Sequence, residues 1–475
     1  MSRAVLLAVI TNVATLVLSP PLNQTSRVEG AQPGVGWSAV GQLGGIVTGS
    51  GLPLTGAEVT VMSASLSEPV TVRTDAKGHY EVADLPPGSY TVVAQSPGYL
   101  RLRYGQTSSD DVWRVVNLAD ATAVRDVNID LSPASKLTGR VVDENGAPAA
   151  DALVKLLKER RYRGQSILEP TQSAQPTDSD GVFRFGNLGP GRYTVLATHR
   201  RQWSGLKDQA KYGYSPTWHP SVTEPELAGR FEVASGQVLE GIDITLQPGR
   251  LLRVSGHVSN SRGQPIGNAT VVVLLAQRSR ASSTMEGVPS TTTSVDGSYR
   301  LNDVPPGRYV VEAQVHRGSD ESERAAVALE ASDDVADLEI KTLAPWRLSA
   351  RFVTANQSPL SAALGRGALV AEPDLNEELR FRRARPAPIQ PDGSVTISGL
   401  LGSYYLRPVM LPDGWMLDKI QMAGRDITDE PLGPPNLGVE VKDLVVTLTN
   451  RAAGVAGVLV NQRGQAVGHG VIVAF

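Results

Sequence analysis

One unit of turn, strand, turn and strand recurs along this chain, and it constrains the fold more than any other feature. In the first copy, Asp75 and Gly78 predict a turn, because an Asp side chain caps the backbone and glycine accepts a positive φ. Tyr80 and Val82 then alternate with polar residues, which is the period of a half-buried strand. The Pro-Pro-Gly at 86–88 predicts a second reversal. A hairpin alone is marginal in water, so each unit must pack against further strands.

The unit is repeated at a spacing that matches a whole domain. Its four copies occupy residues 74–94, 178–197, 296–313 and 392–405, and the fourth is the most divergent. The spacing of about 95–115 residues is that of a small domain and exceeds that of a solenoid repeat.

Short alternating strands also open and close each unit, as at 43–47 and 127–131 in the first. Many short strands with turn signals, and no long amphipathic helical pattern, predict an antiparallel β-sandwich. The chain is therefore predicted to be all-β. The predicted sandwiches occupy 41–133, 134–248, 249–343 and 344–451, with the start of a truncated fifth at 452–475.

The N-terminal segment has the pattern of an export signal. Arg3 precedes an apolar run over 4–18, and Pro20 and Pro21 follow it. This pattern predicts a signal peptide over 1–18, followed by a linker over 19–40. Retention of the segment as a membrane anchor is the alternative, and no other stretch approaches spanning length. The protein is expected to be exported to the periplasm, the cell surface or the extracellular medium.

Charge and cysteine content exclude several classes of function. The 45 Lys and Arg nearly balance the 48 Asp and Glu, so there is no basic footprint for a nucleic-acid partner. The chain contains 0 Cys, which excludes disulfides, thiolate metal sites and a cysteine nucleophile.

The histidines do not match a zinc peptidase. Such an enzyme needs His-x-x-Glu and a further His, but none of the six histidines has Glu three residues later. Ser204 and Lys207 fit a Ser-x-x-Lys spacing, but the partner motifs of that class are missing. We therefore expect no catalytic residue, no metal and no cofactor, and the chain is interpreted as a non-enzyme.

The repeated motifs resemble a known family. They are Gly-x-Pro before Ala-x-Val-x-Val, Asp and Gly separated by zero to two residues and followed by x-Tyr or x-Phe, and Leu-Pro-Pro-Gly-x-Tyr, with Gly98-Tyr99 after the first copy. On these motifs, residues 41–341 resemble the carboxypeptidase regulatory-like domain, whereas 345–450 match poorly. The resemblance implies a non-catalytic, transthyretin-like β-sandwich, a fold that overlaps with carbohydrate-binding-like domains. Its motifs specify turns and strand starts, so they indicate fold more than activity.

Four aromatic residues concentrate after the second copy of the unit. They are Trp203, Tyr212, Tyr214 and Trp218, in a chain of which only 5% is aromatic. Flat rings beside polar donors suit the face of a sugar, and loops on a rigid sandwich often carry binding residues. The same rings could instead cap the open end of the sandwich and be buried. Both interpretations remain open at this stage.

These observations favour a non-catalytic, exported spacer or binding module, with polysaccharide or a cell-surface glycan as the first ligand class. The alternative is the accessory part of a larger secreted metallocarboxypeptidase or outer-membrane receptor, whose functional domain would lie beyond residue 475. In that case the partners would include the other domains of a longer parent chain.

Overall fold

The computed structural model describes residues 41–108, 113–119, 122–162, 165–205, 210–275, 289–315, 323–355, 367–374, 385–412, 414–434 and 440–451. These residues form strands, turns and loops, which confirms the all-β prediction. The predicted signal peptide, linker and fifth sandwich lie outside the described residues. Among the described residues, no helix has the length and apolarity needed to cross a membrane.

The first sandwich packs two sheets face to face. Its strands are β1 (Gly41–Gly49), β2 (Leu52–Pro53), β3 (Glu58–Met62), β4 (Val70–Arg73), β5 (His79–Leu85), β6 (Gly88–Gln95), β7 (Leu102–Arg103), β8 (Val116–Leu118), β9 (Ala123–Val124) and β10 (Ile129–Leu131). In one sheet β1 pairs with β2, β5, β9 and β10, and the other contains β4, β3, β6, β7 and β8. The buried side chains between them form a core of their own.

The second sandwich repeats this plan and adds a small third sheet. Its strands are β11 (Ser135–Val142), β12 (Leu153–Tyr162), β13 (Gln165–Pro170), β14 (Gln175–Pro176), β15 (Val182–Leu188), β16 (Gly191–Thr198), β17 (Gln202–Ser204), β18 (Lys211–Ser215), β19 (Thr217–Trp218), β20 (Phe231–Val233), β21 (Val238–Leu239), β22 (Ile244–Thr245) and β23 (Gln247–Arg250). The small sheet has the order β17-β18-β23.

The third and fourth sandwiches are built in the same way. The third contains β24 (Leu252–Ser259), β25 (Thr270–Leu275), β26 (Ser290–Thr292), β27 (Ser298–Val304), β28 (Gly307–Gln314), β29 (Arg324–Ala331) and β30 (Val335–Lys341). The fourth contains β31 (Trp346–Thr354), β32 (Ala368–Pro373), β33 (Ala387–Pro388), β34 (Ser394–Leu400), β35 (Tyr404–Val409), β36 (Met416–Met422), β37 (Arg425–Asp426) and β38 (Glu440–Thr449).

Strand alternation follows the sequence pattern. In β5, Tyr80 and Val82 are buried, whereas His79 and Glu81 between them are exposed. A half-buried strand alternates in this way because successive side chains point to opposite faces of the sheet.

One pairing differs from the purely antiparallel prediction. The opening strand of each sandwich pairs antiparallel with the strand after the Asp turn but parallel with the closing strand. The parallel pair is formed because the opening and closing strands run in the same direction, and the rest of the domain lies between them in sequence.

In the first three sandwiches, a glycine in the opening strand allows a close approach to backbone that lies in the closing strand or just before it. A Cβ atom added to it would collide with a carbonyl oxygen, which only glycine avoids. The distances from that Cβ would be 2.2 Å for Gly45 to Val127 O, 2.1 Å for Gly139 to Ile242 O and 2.0 Å for Gly256 to Leu338 O. In the divergent fourth sandwich, Ala350 occupies this position, and its antiparallel partner is Val395 in place of the aromatic residue that faces the glycine in the other three sandwiches.

Candidate functional site

Three of the four predicted aromatic residues lie together on the small sheet β17-β18-β23. Trp203 and Tyr212 are register partners, and their rings stack with centroids 6.2 Å apart and an interplanar angle of 18°. The ring of Tyr214 lies 5.1 Å from that of Trp203. Trp203 and Tyr212 are each half-buried, so part of each ring faces solvent.

Tyr214 lies deeper than its two neighbours and is held by polar contacts. Its hydroxyl donates to Oε2 of Glu144 at 2.7 Å, and the ring of His199 meets it edge-on. Burial, followed by the bond to the Glu144 carboxylate, raises the pKa of Tyr214 above its ordinary value of 10.0. Tyr214 is therefore a neutral anchor of this cluster at physiological pH.

Trp218 lies apart from the other three and has no exposed ring surface. It pairs with Leu196 in the second sandwich and is 0% exposed. A fully buried ring cannot stack on a sugar, so the expectation that Trp218 contacts a ligand is not supported. It fits the alternative interpretation, in which an aromatic ring fills the core.

The core that buries Trp218 spans two sandwiches. One cluster of buried apolar side chains combines residues of the second sandwich with the core of the third. From the second sandwich it includes Leu157, Leu168, Leu196, Trp218 and Ala228, and from the third it includes Leu252, Val258, Ile266, Tyr309 and Leu329. The junction is therefore an apolar interface.

Backbone pairing reinforces the same junction. β23 ends at Arg250, and only Leu251 separates it from β24 of the third sandwich, which begins at Leu252. It pairs with β18, and the N–H of Leu251 donates to the carbonyl of Lys211 at 2.8 Å. The ammonium of Lys211 in turn contacts both carboxylate oxygens of Asp303 at 3.2 Å. Main-chain bonds thus hold the connecting residue against the second sandwich, and the contact between Lys211 and Asp303 crosses the junction beside the apolar core.

A cleft of about 780 Å³, here called the junction cleft, opens between the second and third sandwiches. His199, Arg200 and Arg201 line it from the second sandwich, and Arg300, Asn302 and Asp303 line it from the third. Its volume falls within the range of about 300–1,000 Å³ that is usual for ligand pockets.

The charges of the junction cleft are predominantly positive. Asp303 is neutralised by Lys211, and Arg201 lies 3.9 Å from Asp143. Arg200 and Arg300 are exposed and form no ion pair among the described residues. Asp303 and Asp143 already have cationic partners, so their negative charges do not neutralise Arg200 and Arg300. The net charge of the cleft is therefore positive, which favours the binding of an anion.

The described residues contain no cluster of side chains suited to a metal ion. No three His, Asp or Glu side chains within them lie close enough together to hold a metal ion.

Comparison with known proteins gives the family. A model of the carboxypeptidase regulatory-like domain matches residues 42–132, 136–210 and 253–342, which is more than half of the chain. The chain belongs to the carboxypeptidase regulatory-like domain family. The resemblance inferred from the turn motifs is thereby confirmed for three of the repeats.

The curated relatives of this chain have low sequence identity to it and are much longer proteins. Colossin-A of Dictyostelium discoideum is 24% identical over 280 residues, which cover 54% of this chain and 2% of that protein. Serine-aspartate repeat-containing protein E of Staphylococcus aureus (strain MSSA476) is 26% identical over 262 residues, covering 51% of this chain and 21% of that protein. The chain thus spans a small part of these relatives.

The solved structures that match this chain include pilins. A streptococcal ancillary pilin is 15% identical with a TM-score of 0.22 and covers 64% of this chain and 99% of its own. BcpA, the major pilin subunit of Bacillus cereus, is 11% identical with a TM-score of 0.16 and also covers 64% of this chain and 99% of its own.

Sequence reasoning identified the aromatic cluster of this regulatory-like protein but missed the arginines of the junction cleft. Arg200 and Arg300 come from different repeats, and they line the same cleft only because the two sandwiches dock. One signal was available: Arg300 occupies the position in the third repeat that Arg184 occupies in the second, directly after an aromatic strand residue.

Proposed function

We propose that this chain is a non-catalytic, exported spacer that holds its sandwiches in a fixed series and presents a polysaccharide-binding surface where the second and third sandwiches meet. The observation that carries the proposal is the apolar core shared across that junction. Inter-domain contacts that are small and polar permit relative motion, whereas an apolar interface restricts it.

The energetics of the shared core favour a stiff junction. Leu157 and Leu196 are 0% and 1% exposed, and they lie in the cluster that the third sandwich completes. Opening the junction would return such side chains to water at a cost of about 1.5–3 kcal/mol for each one fully exposed. A hinge at this position would therefore be strongly disfavoured.

The junction between the first and second sandwiches is also restrained. The carbonyl of Pro133 accepts a hydrogen bond from the N–H of Gly236 at 3.1 Å, and the N–H of Ala134 donates to the carbonyl of Gly98 at 2.9 Å. Adjacent linker residues are thus bound to both sandwiches at once. A linker held from both sides favours the spacer function.

The binding part of the proposal rests on Trp203 and Tyr212. Each ring is half-buried on a strand, so its position is fixed while part of its surface stays in solvent. Rigid amphipathic rings of this kind suit the apolar face and the hydroxyl edge of a sugar. The export part rests on the signal-like pattern at 1–18.

Paired spin labels test the spacer function directly. Because the chain has 0 Cys, the variant carrying Ser179→Cys and Ser332→Cys is labelled only at those two exposed positions in the second and third sandwiches. We expect a single narrow distance distribution by double electron–electron resonance. A broad distribution, as from a flexible string of domains, would reject the spacer function.

The family match favours one second function. The matching family is described as carboxypeptidase regulatory-like, so this chain could serve as the accessory arm of a larger secreted metallocarboxypeptidase or outer-membrane receptor. Sequencing the encoding DNA past codon 475 tests this. A downstream His-x-x-Glu zinc motif would support the peptidase form, whereas further copies of the turn–strand unit alone would support the spacer.

A further inference from the structure

The junction cleft contains two guanidinium groups whose charge the described residues leave unpaired. Arg200 follows β16 in the second sandwich, and Arg300 lies in β27 of the third. The repeat offers an internal comparison, because Arg184 occupies the position equivalent to Arg300 and pairs with Asp178 at 2.9 Å. The same position therefore forms an internal ion pair in one sandwich and faces an open cleft in the next.

The positive side chains of the cleft suit a carboxylate or a similar anion. A guanidinium presents parallel N–H donors that match the two oxygens of a carboxylate, and such charge-assisted bonds are stronger than neutral ones. The concave wall of the cleft places Arg200, Arg201 and Arg300 around one volume of about 780 Å³. Their fields add within this volume and raise its affinity for anions.

The neutral side chains of the cleft indicate what carries the anion. Gln202, Thr291 and Asn302 line the same volume and offer amide and hydroxyl groups that can both donate and accept hydrogen bonds. Tyr214, Leu251, Pro289 and Pro305 also line the cleft, but Tyr214 is buried and the other three are half-buried. They therefore offer no exposed aromatic ring of the kind that usually anchors a protein partner at the centre of an interface. A polyhydroxylated chain fits this lining better than a peptide does.

We infer that the junction cleft binds an anionic polysaccharide, with a uronic-acid carboxylate bound by Arg300 and Arg200 and the sugar hydroxyls bound by Asn302, Gln202 and Thr291. This inference rests on the proposed polysaccharide-binding function and specifies its ligand class. It also explains why binding would need two docked sandwiches, since each supplies one of the two arginines.

Calorimetric titration of the full chain with oligogalacturonate and with its methyl ester tests the inference. We expect the acid to bind and the neutral ester to bind about tenfold or more weakly, because charge-assisted bonds are lost. Arg300→Gln and Arg200→Gln should each weaken binding of the acid, and added salt should do the same. The matched control, Arg184→Gln, removes an equivalent arginine outside the cleft and should leave affinity unchanged.

The other outcomes separate this inference from the function on which it rests. Equal binding of acid and ester would overturn the anionic ligand class while leaving glycan binding intact. Binding of poly-L-glutamate as tight as that of oligogalacturonate would overturn the sugar specificity. Absence of binding to any of these probes would overturn the inference, and the spin-label distances would still decide the spacer function.

Discussion

Gly249, in the strand that leads into the third sandwich, lies directly against the ring of Pro306, and a Cβ on Gly249 would come within 2.8 Å of the proline Cγ. Pro306 belongs to the Pro-Pro-Gly reversal of the third repeat. A turn that shapes one sandwich therefore also forms part of the docking surface for its neighbour. The absence of a side chain at Gly249 is what permits this contact.

Replacing Gly249 with valine should separate the second and third sandwiches. The new side chain would occupy the space of the Pro306 ring, and overpacking of this kind costs about 1–3 kcal/mol. We expect a broader spin-label distance distribution and a lower melting temperature. Gly186→Val is the matched control, because a Cβ on Gly186 meets nothing within 4 Å. Identical narrow distributions for both variants would show that this contact does not hold the junction.

Replacing Trp218 with alanine should destabilise two sandwiches through one side chain. Trp218 is 0% exposed within the shared core, and truncation of a large buried aromatic residue costs about 3–5 kcal/mol. Differential scanning calorimetry should show lower transition temperatures for both the second and the third sandwich. Trp113→Ala, at a residue that is 44% exposed, should change little. A loss confined to the second sandwich would contradict a shared core.

The sequence was sufficient for those parts of the fold that depend on local chemistry. Asp75 and Gly78 form the predicted turn, in which the N–H groups of Lys77 and His79 both donate to Asp75 Oδ1 at 2.8 Å. Tyr80 and Val82 are buried as their spacing predicted. Turn chemistry and strand period act over a few residues, so a single sequence displays them.

The parts that could not be predicted depend on the docking of domains. The aromatic concentration around Trp203 and Trp218 was visible, but nothing in the local pattern separates a half-buried ring from one enclosed by a neighbouring sandwich. Arg200 and Arg300 are distant in sequence and carry no shared motif. They come close together only through the interface between two sandwiches. The residue pattern of a single repeat carries no information about that interface.

Tyr193 and Tyr309 occupy equivalent positions in their repeats, but the stability of the protein should respond differently to loss of each hydroxyl. Both rings are buried, and the hydroxyl of Tyr193 donates to the carbonyl of Gly189 at 2.7 Å. The hydroxyl of Tyr309 has no hydrogen-bond partner among the described residues. A buried polar group without a hydrogen-bond partner lowers the stability of the folded state by about 1–3 kcal/mol, whereas a hydrogen bond that is formed contributes about 0.5–1.5 kcal/mol to it.

We therefore expect Tyr193→Phe to lower the free energy of unfolding and Tyr309→Phe to leave it unchanged or raise it. Urea unfolding of the two variants beside the parent chain measures both effects. Since the substitutions are chemically identical, each serves as the control for the other. Equal destabilisation would mean that the Tyr309 hydroxyl is hydrogen-bonded in solution.

Acid should weaken the turns that begin each repeated hairpin, and Asp178 is the most direct test. Its carboxylate accepts the N–H of Val182 at 2.8 Å, contacts Arg184 at 2.9 Å and accepts the N–H of Asp180 at 3.1 Å. These bonds hold the pKa of Asp178 below its ordinary value of 3.8. Hydrogen bonds to the turn also lower the pKa of Asp75, Asp296 and Asp392.

The sign of the pH dependence follows from the direction of that shift. Because the folded pKa of Asp178 is lower than the unfolded one, the unfolded state binds more protons in this range, and stability falls as the pH drops below about 4. Asp178→Asn keeps an oxygen acceptor for the turn but removes the charge. Its free energy of unfolding should therefore change less between neutral and acid pH than that of the parent chain. Asp180→Asn is the control in the same turn, because the Asp180 side chain accepts no hydrogen bond and forms no ion pair among the described residues. If Asp178→Asn also kept the full acid dependence, titration of this turn could not be its source.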